Sequence, residues 1–394
     1  MKTPAIFQVA SREWRMMIRS RNSRVVVLWV PLIVFTLLAG IYSAGALRDI
    51  PVAVLDQDHS KLSRTIITFI DASPEMKVTA HLQSTGQLHD FFLHHPEKAI
   101  FCIPKGLEKS VLKGKNTQVD VMTNSTNIVY GNVLKRSAYR LIKTISGGAL
   151  SKRLVAQGLT PEQANRLALP IGVKTHSLFN PQYNYLYYLV PGLLTVLLQM
   201  IVFFMGTRSL NKEFKDDRQE SLQKTAHHNI LNIMFGKLLV YTGVGMVITL
   251  FISIIFNVFG IPYQNKTGEI LLLFLLFILS NATLGMALSA LVKEEIVALD
   301  LALFYNSPAF IFSGFTFPIM GMPFFDQLWA QFIPYTHFLH AFFKLYQMGA
   351  PLAYVGNEML ILVIFILVGL VTTYTAMRLS PQNENSSKLI LTES

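Results

Sequence analysis

The chain holds few residues whose types and spacing could carry out chemistry. A nucleotide-hydrolysing loop needs the pattern G-x-x-x-x-G-K-[ST], because backbone amides and a lysine must surround the phosphates. No such pattern occurs in the sequence. The string Ile145-Ser146-Gly147-Gly148 resembles part of an ATP-hydrolysis motif, but no partner motif accompanies it, and we interpret it as a flexible turn. We therefore expect no catalytic residues, no bound cofactor and no ATP hydrolysis by this chain alone.

Metal ligation is not favoured either. His94 and His95 are adjacent, and His89 lies five positions before His94, so no pair has the i,i+4 spacing that places two ligands on one helix face. The single cysteine, Cys102, lies in an apolar run and is expected to be a small buried hydrophobe. The sequence therefore predicts no metal site.

The composition is that of a membrane protein. Hydrophobic residues make up 52% of the chain and charged residues 14%, well below the roughly 25% of ordinary soluble domains. The mean hydropathy is +0.42. Most of the net charge of +11 is scattered over residues 48–174, without a basic helix stripe or interleaved aromatic residues. That distribution argues against nucleic-acid binding.

Six apolar stretches are each about 20 residues long, which is enough to cross a bilayer as a helix. They are residues 25–47, 185–206, 238–261, 270–292, 296–317 and 359–377. The short segments 1–24 and 207–230 are rich in Lys and Arg and should stay in the cytoplasm. We expect a multi-pass protein of the bacterial cytoplasmic (inner) membrane, with both termini in the cytoplasm and the long insert 48–184 outside it.

The segments around the first span have their own patterns. In residues 1–24, Phe7 and Trp14 share one helix face and Arg12 and Arg15 another, which favours an amphipathic helix in contact with membrane lipids; a simple basic flank is the alternative. In the insert, β-rich runs alternate with helical ones, and Ser60 could cap the first helix. This predicts an α/β extracytoplasmic domain with strands at 50–55, 76–82, 99–103 and 118–122.

Residues 185–378 are predicted to form a transmembrane domain with five spans, followed by a polar cytosolic tail at 379–394. The spans hold few ionisable residues, which disfavours an ion-coupled carrier. Residues 211–224 mix both charge signs in one predicted helical stretch, which either docks on a partner protein or is a solvated linker helix. Near the end, Pro318, Pro323 and Pro334 break the helical pattern, so we expect a re-entrant segment at 318–347.

Several elements resemble one transporter family when they are taken in order. Residues 12–21 are similar to an amphipathic connecting helix, and 49–63 with 99–106 resemble a V-x-D-x-D-x-S turn followed by an I-P-x-G turn. Residues 212–237 resemble an E-x-x-x-x-[RT]-x-E-x-L…G-K stretch. Residues 307–323 and 334–338 match S-G-x-x-F-P-x-x-x-M-P and P-x-[ST]-[HY]-[FA]. Together they resemble the type-2 permeases of ATP-binding cassette (ABC) exporters, in the branch with a long extracytoplasmic insert.

The resemblance implies a function and partners. It implies a permease subunit that exports a hydrophobic or amphipathic substrate, powered by a cytosolic ATP-binding subunit and paired with a second permease copy or paralogue. A periplasmic adaptor protein often accompanies relatives with such an insert. The implied site residues are, for coupling to the ATPase, Glu213, Phe214, Arg218, Glu220 and Leu222, and, for the re-entrant translocation region, Gly314, Phe315, Pro318, Pro323, Pro334 and His337.

Glu213 and Glu220 are seven positions apart, so one continuous helix would turn both toward the same partner surface, with Phe214 and Leu222 as apolar anchors. The alternative function is a membrane sensor or assembly scaffold, in which the insert binds a ligand and the membrane part relays the event.

Overall fold

The computed structural model describes residues 3–84, 91–92, 94–168, 178–215, 218–262 and 266–379, with only the backbone of Asn22, Phe214 and Lys215. The chain forms two compact units. The first comprises Met1–Gly45 and Leu178–Ser394, and the second comprises Ala46–Ser177.

The elements follow in chain order. The first unit opens with three helices and a π-helical turn: α1 (Ala5–Arg19), α2 (Arg21–Arg24), the turn Val25–Trp29 and α3 (Val30–Ile41). The second unit contains β1 (Ile50–Asp56), α4 (Lys61–Asp71), β2 (Met76–Leu82), β3 (Ala99–Ile103), α5 (Leu107–Leu112), β4 (Asp120–Thr123), α6 (Ile128–Ala156) and α7 (Pro161–Ala168). The first unit resumes with α8 (Tyr185–Lys215), α9 (Gln219–Thr225), α10 (Ile230–Val258), α11 (Thr267–Leu291), α12 (Glu295–Asn306), α13 (Ala309–Phe312), α14 (Phe324–Gln331), α15 (Pro334–Tyr346) and α16 (Gly356–Leu379).

Within the described residues, five helical stretches are long and apolar enough to cross a membrane. They are Tyr185–Glu213, Ile230–Val258, Thr267–Leu291, Glu295–Phe312 and Leu352–Leu379, and each overlaps one predicted span. The first predicted span, residues 25–47, differs, because its apolar helix covers only Val25–Ile41.

The chain turns sharply a few residues after α3 ends. Gly45 takes a left-handed backbone conformation with φ of +72°, and a Cβ there would lie 2.9 Å from the side chain of Asn184. Its carbonyl oxygen accepts a hydrogen bond of 2.9 Å from the amide of Tyr185, at the start of α8. The first unit thus ties together the two points at which the chain leaves it and returns.

Helices α8 and α11 pack in very close contact through glycines. A Cβ on Gly206 would lie 2.6 Å from the carbonyl oxygen of Ala282, and a Cβ on Gly285 would overlap the carbonyl oxygen of Phe203. Neither helix can therefore carry a larger residue at its crossing point. This small-residue contact is the usual way for helices to approach in lipid, where burial of apolar surface gives no net driving force.

We predict that Gly285→Ala destabilises the first unit by about 1–3 kcal/mol, because the added methyl group must push α8 and α11 apart. Thermal unfolding in detergent measures the effect. Gly268→Ala is the matched control, since Gly268 lies on the same helix with no atom within 4 Å of a Cβ. An equal melting temperature for the two variants would contradict the close-contact account.

The second unit is built on a four-stranded sheet in the order β2-β1-β3-β4. β1 pairs in parallel with β2 and β3, and β4 runs antiparallel to β3. The run Val52–Leu55 is almost entirely buried, as expected for a parallel central strand that is covered on both faces. The helices supply the cover, with Ile66 and Ile70 of α4 and Leu134 of α6 in the core beneath the sheet.

Two aspartates organise the turn after β1. Asp56 accepts hydrogen bonds from the amides of Asp58 and His59, and Ser60 caps α4 by accepting a bond of 3.0 Å from the amide of Ser63. Asp58 reaches across to the loop before α5, where the amides of Gly106 and Glu108 donate to its carboxylate at 2.6 and 3.0 Å. Burial raises the pKa of Asp58, but hydrogen bonds from Ser60, Glu108 and Gly106 outweigh it, and the net pKa lies below the ordinary value.

Two predictions for the second unit need correction here, and the histidines considered as metal ligands can be placed. The string Ile145-Ser146-Gly147-Gly148 is not a turn, because it lies inside the 29-residue helix α6. Cys102 is only half-buried, and burial followed by the charge of Asp120 raises the pKa of its thiol. His95 stacks on Phe91 with ring centroids 4.1 Å apart. His89 lies outside the described residues.

We predict that Asp58→Ala destabilises the second unit by about 1–3 kcal/mol, because two backbone amides lose a charged acceptor. Cys102 is the only cysteine in the chain, so its labelling rate in the full-length protein under mild urea reports the opening of this unit. Because the pKa of Asp58 is lowered on folding, its contribution is present at neutral pH and is lost as the pH falls through the folded-state pKa.

The matched control is Glu162→Gln, which alters a carboxylate of the same unit whose side chain is 87% exposed. Labelling of Cys102 should be unchanged in that variant. Equal labelling rates of Cys102 in Asp58→Ala and the parent protein would contradict the prediction that Asp58 stabilises the second unit.

Candidate functional site: a buried charge network

The N-terminal helix α1 lies against the first unit rather than standing free. Val9 and Ala10 are buried, and a Cβ on Gly236 of α10 would lie 2.7 Å from the Cβ of Val9. Phe7 and Trp14 remain about half exposed, at 57% and 48%. The helix thus keeps an apolar outer face, as an interfacial helix does, while its inner side is fixed to α10.

Four charged side chains meet beneath this helix. The guanidinium of Arg12 donates two hydrogen bonds to the carboxylate of Glu213, at 2.6 and 2.8 Å. The ammonium of Lys237 donates to Glu13 at 2.5 Å and to Glu213 at 3.2 Å. The hydroxyl of Tyr241 donates to the second oxygen of Glu13 at 2.7 Å. We call these five residues the charge network.

The charge network is almost closed to solvent. The side chain of Lys237 is 1% exposed and that of Glu213 is 4% exposed, while Arg12 is 16% and Glu13 14% exposed. Two cations face two carboxylates, so the formal charge is balanced. Burial of unpaired charges is costly, and only such balance with well-formed hydrogen bonds makes the arrangement tolerable.

The pairing also fixes the ionisation of Arg12. Its hydrogen bond to Glu213 raises the pKa of the guanidinium against the opposing effect of burial. Arg12 therefore stays charged in the physiological pH range, as its bidentate contact with Glu213 requires. The network joins three segments that lie far apart in sequence: α1, the end of α8 and the first half of α10.

The structure corrects the expected helix over residues 211–224. α8 ends at Lys215 and α9 begins at Gln219, so Glu213 and Glu220 do not belong to one continuous helix. Glu213 points into the charge network, whereas Glu220 is exposed and pairs with Lys224 at 2.5 Å. The prediction that both carboxylates face one partner surface is therefore wrong.

The other predicted coupling residues also have definite places. Leu222 is 2% exposed and belongs to the core of the first unit, so it is not a free apolar anchor for a partner. The guanidinium of Arg218 lies 3.7 Å from the sulfur of Met16 in α1. The side chain of Phe214 lies outside the described residues.

The predicted re-entrant segment is a set of short helical pieces, each introduced by a proline. Pro318 precedes the 3₁₀ turn Ile319–Gly321, Pro323 precedes α14, and Pro334 is the first residue of α15. A proline fits the first turn of a helix, because its missing amide would have no partner there.

Gly314 and Phe315 connect this segment to α8. Gly314 has a φ of +84°, and the ring of Phe315 lies directly against Gly192, where no side chain would fit. Tyr188 stacks on Phe315 and donates its hydroxyl to the carbonyl oxygen of that residue. His337 bonds through its Nε2 to the carbonyl oxygen of Gln331 at 2.9 Å. Phe315 and His337 therefore hold the segment in place.

The charge network was not predicted from the sequence, although its four charged members occur in the elements that carry the family resemblance. Arg12 was predicted to lie on the basic face of an amphipathic helix, and Lys237 was noted only as the last residue of the stretch 212–237. One local pattern does point to the network: Lys237 and Tyr241 are four residues apart, and thus on one face of α10. Among the described residues, no group of three metal-ligating side chains occurs.

Comparison with known proteins identifies the family. A family model described as "ABC-2 family transporter protein" matches residues 22–375. The chain belongs to the ABC-2 transporter family. Taken with the five apolar helices, membership makes it a multi-pass membrane protein and confirms the predicted ABC permease family.

Individual relatives are more distant. The chain is 27% identical over 219 residues to a probable multidrug ABC transporter permease, YbhS, of Escherichia coli K12, covering 53% of this chain and 56% of that protein. It is 25% identical over 200 residues to the ABC transporter G family member 20 of Dictyostelium discoideum, covering 50% of this chain and 27% of that protein. The chain therefore spans about half the length of YbhS and about a quarter of the length of the Dictyostelium protein.

We predict that Lys237→Met destabilises the first unit by about 3–5 kcal/mol, because it leaves one carboxylate of the network without a buried counter-charge. Melting in detergent, followed by tryptophan fluorescence, measures the loss. The double variant Glu13→Gln/Lys237→Met keeps the balanced pair of Arg12 and Glu213 and should be more stable than Lys237→Met alone.

Lys224→Met is the control, because it removes the cation of an ion pair whose side chains are 68% and 76% exposed. Lys224→Met should have the same melting temperature as the parent protein. A double variant less stable than Lys237→Met would show that charge balance is not what holds the network together.

Proposed function

We propose that this chain is the permease subunit of an ABC exporter, which moves a hydrophobic or amphipathic substrate out of the cytoplasm. A separate cytosolic ATP-binding subunit hydrolyses the ATP, and a second permease copy or paralogue completes the pathway. The protein sits in the bacterial inner membrane with both termini in the cytoplasm. A periplasmic adaptor protein would join this complex, and only the long insert suggests it.

The packing of α9 carries the proposal. α9 is a short helix whose inner side, at Leu222, is buried in the core of the first unit. Its outer side presents the exposed pair Glu220 and Lys224. Such a helix is held in place and cannot act as a loose solvated linker, which favours the docking hypothesis. Force applied to α9 would pass to the adjoining end of α8.

The charge network supports the next step of this coupling. Glu213 lies on the last turns of α8 and is bonded to Arg12 of α1 and Lys237 of α10. A displacement of the α8 end would therefore move α1 and α10 together, since breaking the network exposes unpaired charges to a buried environment. This gives the ATPase a mechanical connection to the spans.

The orientation is supported by the contact between α1 and α9. Arg218, the residue before α9, lies against Met16 of α1, so the basic N-terminal segment and the basic loop lie on one side of the first unit. Both are the kind of short basic segment that stays in the cytoplasm. The substrate class is supported by the charge-poor spans and by the name of the relative YbhS, a probable multidrug permease.

Co-expression with an ABC ATPase that forms a complex with the parent chain tests the function. The isolated chain should hydrolyse no ATP, and the complex should hydrolyse ATP and transport a hydrophobic dye outward. Glu220→Lys should reduce the amount of co-purified ATPase roughly fivefold or more, because reversing an interface charge opposes the complementary charge of the partner.

Glu162→Lys is the control, because it makes the same charge change at an exposed residue of the second unit. Its complex should form as the parent complex does. Equal ATPase capture by all three proteins would place the docking surface elsewhere, and ATP hydrolysis by the isolated chain would overturn the proposed function itself.

A further inference from the structure

A cavity of about 600 Å³ lies between α1, the turn Val25–Trp29 and α10. Its walls are almost wholly apolar. Phe7, Ala10, Trp14, Met17, Val27 and Val244 are among its lining residues. We call it the α1–α10 groove. The groove is separate from the charge network, because none of the network residues lines it.

The groove has the form of a slot along α10. It follows that helix from Leu239 to Ile248, a length of about 14 Å at the ordinary rise of 1.5 Å per residue. Its floor reaches the helix backbone at Gly243, where a Cβ would have no atom within 4 Å. Leu239 and Val247 are about half exposed, at 50% and 46%, so one side is open toward the region that lipid occupies in a membrane.

One charged residue, Arg24, is found among the described residues that line the groove. Arg24 has no carboxylate partner in the described part of the chain, in contrast to Arg12, which is fully engaged by Glu213. Ser11 and Ser23 also line the groove. Trp14, a residue type that prefers the headgroup level of a bilayer, also lines the groove.

We propose that the α1–α10 groove binds one anionic phospholipid, with an acyl chain along Gly243 and the headgroup phosphate at Arg24. The charge is what selects the occupant. Moving an acyl chain from the bilayer into an apolar groove gains little, because lipid tails are as apolar as the groove walls. Selectivity must therefore come from the guanidinium of Arg24, which attracts a headgroup of negative net charge.

This site is independent of the direction of transport and of the ATPase. A bound lipid would fill the space beneath the outer face of α1 and so help to hold that helix against α10. It would make the packing of α1 sensitive to the anionic lipid content of the membrane.

Native mass spectrometry of the full-length chain in detergent tests the site, with dioleoyl phosphatidylglycerol and dioleoyl phosphatidylcholine as probes. The parent protein should bind the first phosphatidylglycerol with a Kd roughly fivefold lower than that of phosphatidylcholine, the effect of one arginine near a headgroup. Arg24→Gln should remove this preference. Gly243→Leu should weaken the first binding of both lipids, because its side chain enters the groove.

Two matched controls keep the test specific. Arg21→Gln removes the same charge one helical turn earlier, outside the groove lining. Gly40→Leu adds the same side chain to another exposed helix position at which a Cβ has no atom within 4 Å. Both should bind as the parent does, and in detergent without added lipid all variants should melt at the parent temperature.

The outcomes separate the occupants. Equal binding of the two lipids by the parent, or an unchanged preference in Arg24→Gln, would overturn the proposal. Competition by inorganic phosphate alone would overturn it too, because the acyl chain would then be unnecessary. If Gly243→Leu dissociates a dimer or stops dye transport while lipid binding is unchanged, the groove belongs to a second copy or to the cargo, and the proposal fails.

Discussion

The first unit depends on one buried ammonium group. Lys237 lies inside the packed helices with a side chain 1% exposed, bonded to Glu13 and Glu213. Burying a lone cation is costly, so a counter-charge is required there, and two other segments bring carboxylates to it. That requirement accounts for the position of α1, which carries Glu13, and for the position of the last turns of α8, which carry Glu213. Arg12 then balances the second carboxylate.

Backbone contact complements this electrostatic constraint. α8 and α11 touch at Gly206 and Gly285, and α16 lies against α11 where Gly369 meets Thr283. These contacts need no polar group and leave no room for a side chain, so they fix the distances between the long helices. The charge network fixes instead how the peripheral helix α1 attaches to the end of α8 and to α10. In the proposed function, this arrangement would transmit a displacement of the α8 end to α1 and α10.

The second unit is stabilised differently. Its parallel strands bury β1 on both faces, and the carboxylate of Asp58 fastens the loop before α5. Both of the turn patterns that carried the family resemblance, the one after β1 and the one at Gly106, are joined by this single side chain. Their pairing in the sequence thus has a structural reason: each supplies one side of the same set of hydrogen bonds.

The sequence by itself determined the properties that act locally. Hydropathy located five of the long helices, because the cost of placing a charge in lipid acts on each segment without reference to any other. Alternation and capping located β1, β2, β3 and the start of α4 at Ser60. The order of short motifs was sufficient to indicate the family.

Only the tertiary structure decided which charges are paired. Arg12 and Glu213 are 201 residues apart, so no local sequence pattern predicts that their side chains form an ion pair. The same holds for Glu213 and Glu220, whose seven-residue spacing had meaning only within a continuous helix that in fact ends at Lys215. Spacing along a chain predicts which residues share a face of one element. Whether that face meets a partner, a lipid or another part of the same chain depends on how the elements pack, and packing is a property of the whole chain.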